Sequence, residues 1–364
     1  MWSSLLAVAP ILTQLGKELG LARSELGLVF SVPVLTLAIL APVGGLLADK
    51  IGPRKTGTIG MALIGLGGAL RGFSNDLGSL LAYCVVFGVG WGLSLPNLPK
   101  VVGGWFERKT AGTATGIYST GIYVGAGLAT AVALSDSWRT SLVLWGAFAA
   151  LASLAWWALI RDPPAPQSAP IRLGRGLRNR RLWALAGTFF LGANVTFYTL
   201  TGWLPEILSD TAPAGTTTFI ASLLSFFAAP ATLVIPLVSD RVRRRRPFLL
   251  AACLAGSAAS YLLFNGSVGL QTAAVAVLGV SISAIFVICL TLPAELFDRN
   301  LVGSASGFML LAYTGGVIGP WLSGLTQDVT GSFFPTMVML IASFLASAAL
   351  ATLLPETGGT SRSI

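Results

Sequence analysis

The sequence predicts an all-α membrane protein of twelve transmembrane helices in two six-helix bundles. Three observations predict it. Of the 364 residues, 54% are hydrophobic and only 10% charged, against about 25% charged in a soluble domain; mean hydropathy is +0.79. Apolar runs close to the ~20 residues that cross a hydrocarbon core recur at 26–48, 78–99, 141–160, 182–204, 217–238 and 333–354. The second half of the chain also repeats the first at one fixed offset.

Punctuation by charge, Gly and Pro places the spans at 1–15, 26–48, 57–74, 78–103, 111–134, 138–160, 182–206, 216–238, 247–265, 268–293, 301–325 and 333–354. MWSSLLAVAPILTQLG resembles a signal peptide through Ala7-Val8-Ala9, but it lacks a basic n-region. An even number of spans puts both termini on one side. The connections 49–56, 104–110, 161–181, 239–247 and 294–300, with the C-terminal tail, hold 18 of the 23 Lys and Arg. The opposite connections hold only Lys17, Arg23, Arg71 and Arg139. By the positive-inside rule the rich side is cytoplasmic, and the expected location is the cell membrane. The net charge of +9 is then topology signal, with no nucleic-acid partner implied.

The expected domains are a bundle over 1–160, a Pro- and Arg-rich cytoplasmic linker over 161–181, a bundle over 182–356 and a tail over 357–364. Cys84, Cys253 and Cys289 lie inside apolar spans with no CxxC pair, and there is no histidine. No metal site, cofactor or disulfide framework is expected.

The repeat explains an odd concentration of charge. GGLLADKIGPRK (44–55) packs four charges into one turn, and PLVSDRVRRRRP (236–247) does much the same. An offset of 191 residues carries Asp49 onto Asp240, Lys50 onto Arg241, Arg54 onto Arg245 and Lys55 onto Arg246. It also carries WFERKTAGTATG (105–116) onto LFDRNLVGSASG (296–307) without a gap. A duplicated six-helix unit with parallel topology follows. The same offset starts the partner of the seventh span before residue 1, so the first span is expected to be about two turns short.

GGLLADKIGPRK resembles the signature loop between helices two and three of the major facilitator superfamily, Gly-x-Leu-x-Asp-Arg-x-Gly-Arg-Lys. The degenerate second copy, twelve spans and long central loop agree, so the resemblance covers nearly the whole chain. It implies the major facilitator fold and a cytoplasmic gate made of Asp49, Arg54 and Arg108, mirrored by Asp240 and Arg241. A carboxylate there would meet the free N–H groups and dipole of a helix N-terminus. The second copy departs from the pattern, with Pro236 and Arg243 where the first has glycine. Glycines spaced by four along the fifth and eleventh spans predict close helix contacts. Gly319-Pro320 stands in the eleventh, while the fifth lacks the Gly-Pro typical of drug antiporters.

The resemblance implies that helices one, four, seven and ten face the solute. Their polar residues are Trp91, Ser94, Asn97 and Lys100, with Pro96 and Pro99 among them, then Asn194, Tyr198 and Thr201 on one helical face. Ser281, Ser283 and Thr291 belong to the tenth span, and Tyr118 and Tyr313 flank the set from the fifth and eleventh. Lys100 admits two readings, an anion ligand or a lysine that snorkels to the gate. No Asp or Glu lies mid-span, which argues against a standard proton symporter. APILTQLGKELGL, FSVPVL, GALRGF, the Pro96-to-Lys100 spacing and FYTLTGWLPEIL resemble the cyanate/nitroimidazole transporter branch, which implies a small, planar, often anionic solute. The expected protein is therefore a monomeric alternating-access transporter, with the bilayer and a small molecule as partners and no enzymatic chemistry. Efflux of an apolar drug-like compound is the alternative. A membrane sensor would carry an output domain, for which neither terminus nor the linker has the length.

Overall fold

A computed structural model describes residues 2–106, 108–131, 137–162, 179–209, 211–297 and 308–357. Among them the helices fall into twelve groups in chain order. They are α1 (Trp2–Leu6, a 3-10 turn Ala9–Ile11, and Leu12–Leu19), α2 (Arg23–Ile51), α3 (Pro53–Leu70), α4 (Leu77–Ser94 continuing as Asn97–Trp105) and α5 (Arg108–Ala131). Then follow α6 (Trp138–Leu159), α7 (Arg180–Phe189, a π turn Phe190–Val195, and Thr196–Ile207), α8 (Ala214–Val242) and α9 (Arg246–Asn265). The chain ends with α10 (Val268–Leu296), α11 (a 3-10 turn Leu310–Thr314 and Gly315–Thr330) and α12 (Phe334–Thr352). Seven of these, α2, α4, α6, α8, α9, α10 and α12, are both long and apolar enough to cross a membrane. The chain is a multi-pass membrane protein.

The helix ends follow their sequences. Glu25 reaches back to the N–H of Ala22 at 2.8 Å to start α2, and Asp76 accepts the N–H of Ser79 at 2.7 Å to start α4. Pro96 breaks α4 because it lacks an N–H and its ring crowds the preceding turn. Pro96 and Pro99 in the sequence predict a bend there, and the structure has a full break. Nothing in the sequence gave warning of the π turn in α7.

Two compact units emerge, Met1–Ser168 with Pro320–Val329, and Ala169–Gly319 with Thr330–Ile364. In the first unit α3 lies against α4 and α6 so closely that a Cβ at Gly65 would stand 2.7 Å from the backbone nitrogen of Ala150. On α5 a Cβ at Gly121 would meet nothing within 4 Å, whereas one at Gly125 would lie 3.5 Å from the backbone nitrogen of Ser3 on α1. The expectation for α11 holds. Gly315, Gly316 and Gly319 bring it onto α7, with the carbonyl of Phe190 2.7 Å from where a Cβ at Gly315 would be.

Candidate functional site

The α2–α3 junction turns at Gly52, whose φ of 90° suits glycine. Arg54, two residues on, donates its backbone N–H to Asp162 Oδ1 at 2.8 Å, just beyond α6. Its Nε donates to the carbonyl of Trp157 at 2.8 Å, and its guanidinium lies 4.1 Å from the Trp157 ring centroid. The capping role expected of Asp49 therefore falls to Asp162. Asp49 instead pairs with Lys100 of α4, whose ammonium also donates to the carbonyl of Gly45 at 2.6 Å. Both side chains of that pair are about one-third exposed. Lys100 thus reaches the C-terminal end of α2, in keeping with the second of its two readings.

The second copy keeps charges of the same sign at these places but pairs them differently. Arg243 occupies the place of Gly52 and adopts the left-handed conformation at φ 54°. Arg245, the counterpart of Arg54, is buried and ion-pairs with Asp240 and with Glu295 of α10 at 2.8 Å. Its Nη1 donates to Ser239 Oγ at 2.5 Å. Burial alone would lower its pKa, but Glu295 and Asp240 outweigh burial and raise it. Glu356, beyond α12, accepts the backbone N–H of Arg245 at 2.5 Å. Arg241 is exposed. The side chain of Arg108, and residues 107 and 298–307, lie outside the described residues.

The break in α4 gathers three buried polar atoms that have no hydrogen-bond partner among the described residues: Trp91 Nε1, Ser94 Oγ and Asn97 Oδ1. Trp91 also packs edge-on against Trp2 of α1, with centroids 4.9 Å apart. Asn97 donates its amide to the carbonyl of Leu93 at 2.6 Å, which leaves the oxygen unused. Tyr118 is half-buried on α5.

In the second unit Asn194 sits within the π turn and donates to the carbonyl of Phe189 at 3.0 Å. Thr201 Oγ1 donates to the carbonyl of Phe197 at 2.7 Å. Tyr198 and Tyr313 are buried, Tyr313 edge-on to Phe189 with centroids 5.7 Å apart. Ser283 is committed to α8, bonding Thr232 Oγ1 at 2.7 Å and the carbonyl of Ala228 at 2.9 Å.

Sequence reasoning missed Asp162, Glu295 and Glu356. A signal was present, since an acid follows both the sixth and the twelfth span, in RDPP and LPET. Asp162 and Glu356 stand 194 residues apart, three more than the repeat, and a gapless offset cannot bring them together.

The family model described as Major Facilitator Superfamily matches residues 2–320 and, in a second overlapping match, 195–363. Similar curated proteins include the hexuronate transporter of Bacillus subtilis (strain 168), 27% identical over 91% of this chain and 85% of its own. The cyanate transport protein CynX of Escherichia coli (strain K12) is 26% identical over 90% of this chain and 87% of its own. The 2-nitroimidazole transporter of the same organism is 27% identical over 93% and 88%. A crystal structure of a bacterial homolog to the human lysosomal transporter Spinster superposes with a TM-score of 0.79 at 16% identity, covering 97% of this chain and 93% of that one.

Proposed function

Because this chain belongs to the Major Facilitator Superfamily, we propose that it is an alternating-access transporter of a small, anionic or planar polar solute across the cytoplasmic membrane. The basic connections face the cytoplasm, where Asp49, Arg54, Lys100 and Arg108 are the gate residues of the first unit and Asp240, Arg241 and Arg245 those of the second. The observation that carries the solute class is the break in α4. Trp91, Ser94 and Asn97 there keep a donor, a hydroxyl and an acceptor unsatisfied and buried. Such groups are costly unless something binds them. An aromatic face beside a few polar atoms suits a planar solute better than a bulky apolar one. The named cargoes of the relatives support this, since cyanate and hexuronate are anions and 2-nitroimidazole is planar. Asn194, Tyr198, Thr201 and Tyr313 are the solute-facing residues of the second unit.

A thermal-unfolding panel on the purified protein tests this reading. Cyanate, nitrate, formate, small carboxylates and 2-nitroimidazole are compared with neutral drug-like amines. A ligand at 100 times its Kd adds about 2.7 kcal/mol, and the stabilisation by a small solute is expected to vanish in Asn97→Leu. Stabilisation by bulky apolar compounds alone would overturn the reading in favour of drug efflux.

A further inference from the structure

Arg71, at the outer end of α3, is fully buried. Its Nη2 donates to the carbonyl of Ser4 on α1 at 2.5 Å, and its guanidinium lies 4.6 Å from the Phe87 ring centroid. Its Nε and Nη1 have no partner among the described residues, and neither do Ser4 Oγ and Ser74 Oγ. No described carboxylate pairs with it, whereas Arg139, on the same side of the first unit, has Glu18 at 2.9 Å. Gly68 keeps the hydroxyl close, because a Cβ there would stand 2.7 Å from Ser4 Oγ and 3.8 Å from Arg71 Nη2.

A buried cation held by one carbonyl, one aromatic face and the thiol of Cys84 is left far from neutral. Water could satisfy the two free N–H groups but would leave the charge. A small anion does both, accepting a charge-assisted hydrogen bond from one of the free nitrogens, Nε or Nη1, which open on different edges of the guanidinium. We infer that Arg71, with the Ser4 hydroxyl, is a second station on the path of the transported solute, outward of the α4 break, where the first unit binds a monovalent anion of only a few atoms. This rests on the transport reading and deepens it. Lys100 is spent on Asp49, so the charge-binding role passes to Arg71.

The test titrates sodium cyanate, nitrate and chloride against thermal unfolding in a gluconate buffer, for the wild type, Arg71→Gln, Arg71→Lys and Lys100→Ala. In gluconate Arg71→Gln is expected to melt at or above the wild-type temperature, since an amide keeps a donor for Ser4 and removes the unpaired charge. Its anion midpoint should rise at least about tenfold, the loss of one charge-assisted pair. Arg71→Lys, which keeps the charge without the planar guanidinium donors, should fall between, and Lys100→Ala should titrate like the wild type. Labelled-anion counterflow in proteoliposomes should fall from the wild type through Arg71→Lys to Arg71→Gln. Anion stabilisation unchanged in Arg71→Gln and Arg71→Lys would overturn this inference and leave the transport reading standing, as would binding at Arg71 without effect on counterflow. Stabilisation of every variant by neutral solutes alone would instead sink the anion-transport reading, and this inference with it.

Discussion

Asp162 accepts the backbone N–H of Arg54 at 2.8 Å, and so holds the first turn of α3 to the end of α6. Glu356 does the same for Arg245 at the first turn of α9. The two halves thus close their basic loops with an acid from the last helix of each unit. Each acid satisfies one of the N–H groups that a helix start leaves open and meets the positive end of its dipole.

Gly52 is the hinge of the first of these arrangements. A Cβ there would lie 2.5 Å from Asp162 Oδ1, on a backbone whose φ is 90°. Gly52→Ala is expected to cost about 2–3 kcal/mol, from backbone strain plus a displaced cap. Asp162→Ala should cost about 1 kcal/mol. Thermal unfolding of both variants checks the order. Equal effects would mean that the cap alone matters.

Lys100 and Asp49 should behave differently, because their pair is partly exposed. Exposed pairs contribute about 0–1 kcal/mol, so Asp49→Asn and Lys100→Ala should barely move the melting temperature. If the pair belongs to the gate, transport should nevertheless fall at least about tenfold, a change of only 1.4 kcal/mol in one conformational equilibrium. A parallel loss of stability and transport would mark the pair as structural. The charge-swapped double variant, Asp49→Lys with Lys100→Asp, should recover part of the activity.

Arg245 is the opposite case. It is buried, with Asp240, Glu295 and Ser239 around its guanidinium. Arg245→Ala strands Glu295 and should cost about 3 kcal/mol. Glu295→Gln keeps an acceptor and should cost about 1 kcal/mol. Unfolding of the purified variants measures both, and an inverted order would mean that Glu295 carries the cluster.

Asp328 gives a pH signature. Burial tends to raise its pKa but is outweighed by hydrogen bonds from Ser24 and Arg23, so the folded value is lowered. Its carboxylate accepts the N–H of Arg23 at 2.9 Å and of Ser24 at 2.7 Å, where α2 begins. A depressed folded pKa contributes stability that is present above the unfolded value, near 3.9, and lost as pH falls through the folded value. The melting temperature of Asp328→Ala should therefore lie below wild type at pH 6 and converge with it as pH falls through the lowered folded value. A gap that persists in acid would rule out the ionised carboxylate as its cause.

Much of the fold was legible because lipid allows few solutions. Apolar runs of span length, the Lys and Arg asymmetry and the Asp49–Asp240 repeat each reported a constraint that acts locally on the chain. A bend at Pro96 was legible for the same reason. The π turn around Asn194 was not, since nothing in FLGANV differs from an ordinary helical stretch; it arises where α11 packs on α7. The partners of the gate residues were equally hidden. Lys100 meets Asp49, and Asp162 meets Arg54, across 51 and 108 residues of chain. In the second copy Thr291 stands where the first has Lys100, Glu295 four residues on meets Arg245 instead, and Arg243 takes a positive φ without a glycine, so an identity-based repeat passes over all three.

The most direct measurement is counterflow of labelled cyanate, nitrate and formate in proteoliposomes preloaded with the same unlabelled anion. Transient accumulation of at least one label, abolished in Asn97→Leu and unaffected by drug-like amines, is the predicted result. No accumulation of any small anion, with accumulation of an apolar amine instead, would contradict it.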